Sequence, residues 1–235
     1  LFWGAPLLAK EFEDGTHNLA WTQGVTRRHW LGTNMVWVFL AAAAWGGALA
    51  ALVSWWRFPE NALDTRFDAF DIQGIVPVAY ALFAVALGIA VGAVVRRVLP
   101  AIATTLGVFV AIRVVIAVYV RPHFLTPVTQ LLALGGSKSG GPPGAWVIST
   151  DIVGPHGGSF DSGFSVRDIP VACRNGLLGL KGGPQCLAAH GFRQLVTYQP
   201  AGRYWAFQGI EAGLFAVLAV ALVALAYWRV LRRDA

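Results

Sequence analysis

Charge is what this chain has least of. Only 13% of its 235 residues are Asp, Glu, Lys or Arg, against about 25% in an average soluble domain. With 56% hydrophobic residues and a mean hydropathy of +0.58, too little polar surface remains to cover a globule in water. A soluble enzyme and a disordered chain are both excluded. The familiar catalytic signatures are missing as well: no G-x-x-x-x-G-K-[ST] phosphate loop, no H-E-x-x-H zinc helix and no G-x-S-x-G elbow occurs, so the chain has no nucleotide site or hydrolase centre of those kinds. The net charge of +6 does not mark a nucleic-acid binder, because the bases are not gathered on one soluble face.

What the chain does have is long apolar runs. A helix needs about 20 mostly apolar residues to cross a bilayer, and four segments qualify: Met35 to Trp56, Gly74 to Val95, Val98 to Val120 and Ala206 to Trp228. The expected fold is an all-α integral membrane protein, a helical bundle of four full spans. Leu1 to Ala9 is apolar but too short to span, has no basic region before it, and runs into Lys10-Glu11-Phe12-Glu13-Asp14. It reads as the end of a truncated membrane helix rather than a signal peptide. The expected domains are thus a helix end at 1–9, a cytoplasmic segment at 10–31, three spans over 32–120 with a short outer loop at 57–73, an outer segment at 121–205, and a last span with its tail at 206–235.

Orientation follows from the bases. Lys10, Arg27, Arg28, Arg96, Arg97, Arg229, Arg232 and Arg233 fall on one side if the spans alternate, whereas the loop on the other side holds Arg57 and Arg66 against Glu60, Asp64, Asp68 and Asp71. The base-rich side is read as cytoplasmic, with the C-terminus, in a multi-pass protein of the cell membrane. Trp55, Trp56, Tyr204 and Trp205 are expected at the outer interface, and Trp30, Tyr227 and Trp228 at the inner one.

The outer segment of 85 residues holds 15 of the 27 Gly and eight of the 12 Pro, so sparse regular structure is expected in an extracytoplasmic domain between the last two spans. A short helix is expected at Phe124 to Leu134, a loop at Gly135 to Gly144 and a strand at Trp146 to Val153. Cys173 and Cys186, the only cysteines, are expected to form a disulfide in an oxidising compartment. His123, His156 and His190 lack metal-ligand spacing, so no metal site is expected.

Arg113 and Glu211 are the ionisable residues well inside the apolar runs. Each lies five to seven residues from the outer end of its helix, roughly 8–10 Å deep. Either charge alone is expensive in hydrocarbon, so the two are expected to pair, with Gln208 one turn from Glu211 extending the polar site. Gly46 and Gly47, and the G-x-x-x-G pair Gly88 and Gly92, are expected to allow close helix approach.

Residues 10–31 read KEFEDGTHNLAWTQGVTRRHWL. Asp14-Gly15-Thr16 is a turn and helix-capping signal; Leu19 and Trp21 are apolar anchors, and Val25-Thr26-Arg27-Arg28 leads into a span. The pattern Glu11-x-Glu13-x-Gly15-Thr16, Leu19, Val25-Thr26-Arg27 resembles the E-x-E-x-G-T…L…(V/S)-(S/T)-R segment of type 2 ABC-transporter permeases. The wider sequence, with LFWGAPLLAKEFEDGTH, DIQGIVPVAYALFAVALGIA and YQPAGRYWAFQGIEAG, resembles actinobacterial members of that group over nearly its whole length.

The resemblance implies that 1–9 ends the second of six helices and that the four spans are the third to sixth. It implies a permease subunit, not itself an enzyme, in a bilayer, dimerised with a second identical or different permease subunit and driven by a separate ABC ATPase. ATP is then bound by that partner, and this chain needs no cofactor. Glu11, Glu13, Gly15, Thr16, Leu19, Trp21, Thr26 and Arg27 are implied to make the coupling contact; the alternative is an interfacial helix meeting lipid headgroups through Arg27 and Arg28. An exporter is the implied function. A non-transporting membrane sensor or immunity protein with an ATPase partner has the same architecture, and a membrane-embedded enzyme is the third reading.

Overall fold

The computed structural model describes residues 27–57, 66–95, 97–134, 141–155, 157–158, 169–173 and 183–233. The helix end expected at 1–9 and the coupling residues Glu11 to Thr26 lie outside the described residues, as does His156. By packing, the chain divides into two units.

The first unit is helical. Helix α1 (Arg27–Trp56), α2 (Val76–Val95), α3 (Val98–Val115) and α5 (Tyr204–Arg233) contain four stretches long and apolar enough to cross a membrane, with mean hydropathies of 2.0 to 2.5. Their boundaries lie within a few residues of the expected spans, as continuous Ala/Val/Leu composition dictates. α2 is the enclosed helix, with Val76, Phe83, Ala86 and Ile89 almost fully buried. α1 comes against it at Gly46: a Cβ there would stand 3.1 Å from Val78 Cα and 3.2 Å from the Pro77 carbonyl oxygen, so any side chain would push the two helices apart by a few tenths of an ångström. Met35, near the other end of α1, packs with Ile89 and Ala93 of α2 and Ala226 of α5, which makes α1 antiparallel to α2. Arg97 turns the chain into α3, and Ala101 packs among Val91, Val95 and Val98.

Nearer the opposite end an aromatic layer joins three helices. Phe83 of α2 meets Phe109 of α3 with ring centroids 6.0 Å apart and Phe215 of α5 at 5.1 Å, and Tyr80 meets Phe215 edge-on at 4.9 Å. The helix after Val115 does not continue as an α-helix to Val120. Ile116–Val120 is a π-helical turn, in which the Arg121 amide donates to the Ile116 carbonyl five residues back, and a 3-10 turn follows at Arg121–His123.

The second unit corrects the all-α expectation. β1 (Val128–Ala133), β2 (Trp146–Val153) and β3 (Arg193–Gln199) form an antiparallel sheet in the order β1-β3-β2. The strand expected at Trp146 to Val153 is β2. The helix expected at Phe124 to Leu134 is instead β1: pairing with β3, as at Val128 with Tyr198 and Thr129 with Thr197, outweighs the modest helix propensity of Leu131, Leu132 and Ala133. Cross-strand contacts reinforce it, with Tyr198 donating to Gln130 Oε1 at 3.0 Å. β3 had no counterpart among the expected elements. Gln199 at its end is fully buried, donates to the Leu125 carbonyl at 2.7 Å and accepts from Arg203 Nη1 at 2.8 Å. Tyr204, expected at a lipid interface, is buried in this unit, with its ring 5.6 Å from Phe67.

Helix α4 (Gly183–Ala189) carries one half of the Cys173–Cys186 disulfide, which closes a separation of 13 residues. Cys173 packs in a small core with Ile169, Leu187 and Phe192. A loop of that size should contribute about 3 kcal/mol by restricting the unfolded chain. Reduction, or the double change Cys173→Ser with Cys186→Ser, is therefore expected to open this unit to limited proteolysis between 122 and 205. Fragments mapped by mass spectrometry check it; equal protease resistance with and without reductant would refute it.

Candidate functional site

Among the described residues of the helical unit, the polar chemistry is concentrated where α2 begins, α3 ends and α5 begins. The chain enters α2 through the turn 70–75, and this turn is held by one side chain of α5. Gln208, fully buried, accepts from the amides of Ile75 and Val76 at 3.0 Å each. Its Nε2 donates to the carbonyls of Phe70 at 2.9 Å and Gln73 at 3.1 Å. The amide group thus spends two donors and two acceptor positions on backbone, and it caps the start of α2 from another helix. Gly74 makes room for it: the residue sits at φ +74°, and a Cβ there would lie 2.7 Å from Gln208 Oε1. The Gln73 side-chain nitrogen is buried without a partner among the described residues.

One turn along α5, Glu211 is also fully buried. It receives Arg113 Nη1 at 3.2 Å on Oε1, and Arg121 Nε at 2.7 Å on Oε2 and Nη2 at 2.8 Å on Oε1. Tyr80 of α2 donates its hydroxyl to Glu211 and receives a hydrogen bond from Arg113. The Arg113 guanidinium lies 3.7 Å over the Tyr80 ring, and that of Arg121 lies 4.4 Å over Phe70. Asp71, from the Gln208-held turn, completes the group: its Oδ1 bonds Arg121 Nη2 and lies 3.2 Å from Arg113 Nη2. Two carboxylates and two guanidiniums balance, which is what a desolvated ionic cluster requires.

The π turn explains how both arginines reach one carboxylate. Eight residues separate Arg113 from Arg121, and in a regular α-helix i and i+8 differ by about 80° in direction. One extra residue in the wide turn makes Arg121 equivalent to i+7, within about 20° of Arg113. Asp71 differs from the rest in exposure: its side chain is 44% exposed, against 17% for Arg113 and 10% for Arg121. Partial burial works to raise its carboxyl pKa, but Arg121 and then Arg113 outweigh that and hold it below the usual value. Asp71 therefore stays ionised at neutral and mildly acidic pH.

Among the sequence-derived residues, the structure brings Arg113 and Glu211 together and joins Cys173 to Cys186. Gln208 bonds the 70–76 backbone. Arg27 opens α1, and the other coupling residues lie outside the described residues. Sequence reasoning missed Asp71, Tyr80 and Arg121. The first and last sit at the ends of apolar runs, where charges are ordinary, and the π turn leaves no mark in hydropathy. A usable signal was present all the same: an acidic residue at 71 and a base at 121 flank the same end of the bundle as Arg113 and Glu211.

Cys173, Cys186 and His190 also come together, with His190 Nδ1 3.7 Å from Cys173 Sγ and 2.9 Å from the Cys186 carbonyl oxygen. Both sulfurs are committed to the disulfide, so no thiolate is left to bind a metal. A groove of about 550 Å³ is lined by Phe39, Leu82, Ala216, Ala219, Val220, Val223, Ala224 and Tyr227, apolar side chains apart from the tyrosine.

No curated protein and no solved structure matches the chain. A family model described as ABC-2 membrane transporter related matches residues 1–121, the stretch that holds the E-x-E-x-G-T segment and the first three of the four apolar helices. Apolar helices of spanning length, a buried ionic cluster that ties three of them, and this match agree, and the chain belongs to the ABC-2 membrane transporter related family as a multi-pass membrane component.

Proposed function

We propose that the chain is the permease subunit of an ATP-driven exporter, moved by a separate ABC ATPase that docks on residues 10–31. The observation that carries this reading is the family match over 1–121, which includes both the coupling-like segment and the helices it would move. The geometry supports it. α1 is antiparallel to α2, so the end of α1 that joins the 10–31 segment lies by Ala93 and Ala226, and the ionic cluster lies at the other end. A push on the cytoplasmic end would act on helices whose far ends are clamped by Glu211 and Gln208, and so would tilt them rather than slide them.

In this reading Glu11, Glu13, Gly15, Thr16, Leu19, Trp21, Thr26 and Arg27 form the ATPase contact. The chain works as a dimer with a second permease subunit, 121–205 lies outside the cell membrane, and the C-terminus lies inside. The sensor reading has no structural observation of its own in its favour.

The test is affinity purification of the full-length protein from native membranes. An ATP-binding subunit is expected to co-purify, and Leu19→Asp with Trp21→Asp should reduce its recovery at least tenfold, the loss of about 1.4 kcal/mol or more of binding, while the membrane part stays monodisperse. Undiminished recovery would overturn the coupling assignment. Recovery of the ATPase with no net export from proteoliposomes would favour the sensor over the exporter.

A further inference from the structure

The ionic cluster has an inner and an outer carboxylate, and they are not equivalent. Glu211 is fully buried and uses both oxygens, gripping Arg121 in a two-point contact at 2.7 and 2.8 Å. Asp71 is the most exposed member and reaches both guanidiniums through the single oxygen Oδ1. One oxygen shared between two guanidiniums is a weak use of groups built to bind oxyanions in paired fashion. The turn that carries Asp71 does not depend on that carboxylate either, because Gln208 holds the backbone of Phe70, Gln73, Ile75 and Val76. With Asp71 swung away, two arginines would face one glutamate, leaving one net positive charge at a partly accessible point. A costly helix irregularity is also present: without the π turn at Ile116–Val120, Arg121 would point away from Arg113, and such turns often mark functional sites.

We propose that Arg113 and Arg121 form a binding site for an oxyanion, the carboxylate or phosphate of a small acid or of a lipid headgroup, and that Asp71 occupies this site as an internal, displaceable stand-in. Binding exchanges one anionic oxygen for two and frees Asp71 to water, while Glu211 keeps the arginines in place. The site needs neither an ATPase nor transport, so it stands or falls separately from the permease reading.

The experiment uses the full-length chain in neutral detergent, with unfolding followed through its 10 tryptophans. Acetate and inorganic phosphate are titrated against chloride at constant ionic strength. Asp71→Asn removes the competing charge but not the shape, and is expected to bind the anions about tenfold more tightly than wild type, the worth of one charge-assisted contact. Arg113→Lys keeps the charge but loses the fork, and is expected to weaken binding about tenfold. Native mass spectrometry after release from phosphatidylglycerol or phosphatidylcholine nanodiscs separates the sources. A headgroup site retains phosphatidylglycerol preferentially, and more so in Asp71→Asn; a small-acid site shows saturable acetate or phosphate binding without that preference. Equal anion response in wild type, Asp71→Asn and Arg113→Lys would overturn the proposal. Failure of Asp71→Asn to unfold cooperatively would overturn it too, since the turn would then depend on the aspartate.

Discussion

Glu211→Ala is expected to lower the stability of the helical unit by about 3–5 kcal/mol, the penalty for leaving buried charge without its partner. The size follows from its position. Glu211 is fully buried and is the carboxylate that both Arg113 and Arg121 contact from inside the bundle. Its loss leaves the half-exposed Asp71 to balance two guanidiniums and to be the sole carboxylate for the Tyr80 hydroxyl, 3.2 Å from its Oδ1. Thermal unfolding in detergent checks this.

The double variant carries more information. If only Arg113 paired with Glu211, Arg113→Ala would be repaired by adding Glu211→Ala. Because Arg121 shares the glutamate, partial repair is expected, with Arg121 left to Asp71. Full additivity of the two single losses would show that the groups do not interact, and complete repair would show that Arg121 is not part of the cluster.

Gln208→Leu is the second large effect, about 3 kcal/mol or more. Leucine is close in size but bonds nothing, so two amides and two carbonyls lose partners. Each such buried group carries a penalty of about 1–3 kcal/mol, reduced where the turn can relax toward water. The effect should be local before it is global: the amides of Ile75 and Val76 should exchange with deuterium much faster, while those in the middle of α3 keep their protection. Unchanged exchange at 75 and 76 would mean that the Gln208 cap does not hold the turn.

The spans were legible because membrane helices advertise themselves through length and uniform hydropathy, and the structure moves their ends by only a few residues. The closeness of Arg113 and Glu211 was legible because two lone charges at equal depth have few other solutions. Arg121 and Asp71 were not, since a charge beside a span reads as a boundary marker, and only the π turn and the Gln208 cap fold them inward. Sequence periodicity sees neither of those backbone events. The sheet was half legible. β2 has the strand composition of Trp146-Val147-Ile148-Ser149-Thr150, whereas Leu131-Leu132-Ala133 favours helix in isolation and becomes a strand only through β3. β3 itself, Arg193 to Gln199, has polar residues at its ends and a Gly/Pro-rich stretch before it, which hid three residues of strand character at Val196, Thr197 and Tyr198. The disulfide was legible from two cysteines in one segment read as lying in an oxidising compartment.

The π turn also gives this helix an unusual bookkeeping of length. In an ordinary span, removing one residue rotates everything beyond it by about 100° and scrambles the packing. Here Ile116–Val120 already carries one residue more than an α-helix would use. Deleting a single residue from it, Ala117 or Val118, would let the backbone close into regular α-helix with Arg121 still on the face of Arg113. Inserting one residue there would turn Arg121 away from Glu211. The segment is thus a place where the gene can shorten by one codon at little loss to the cluster but cannot lengthen by one, and indels rather than substitutions are the changes that read out its geometry.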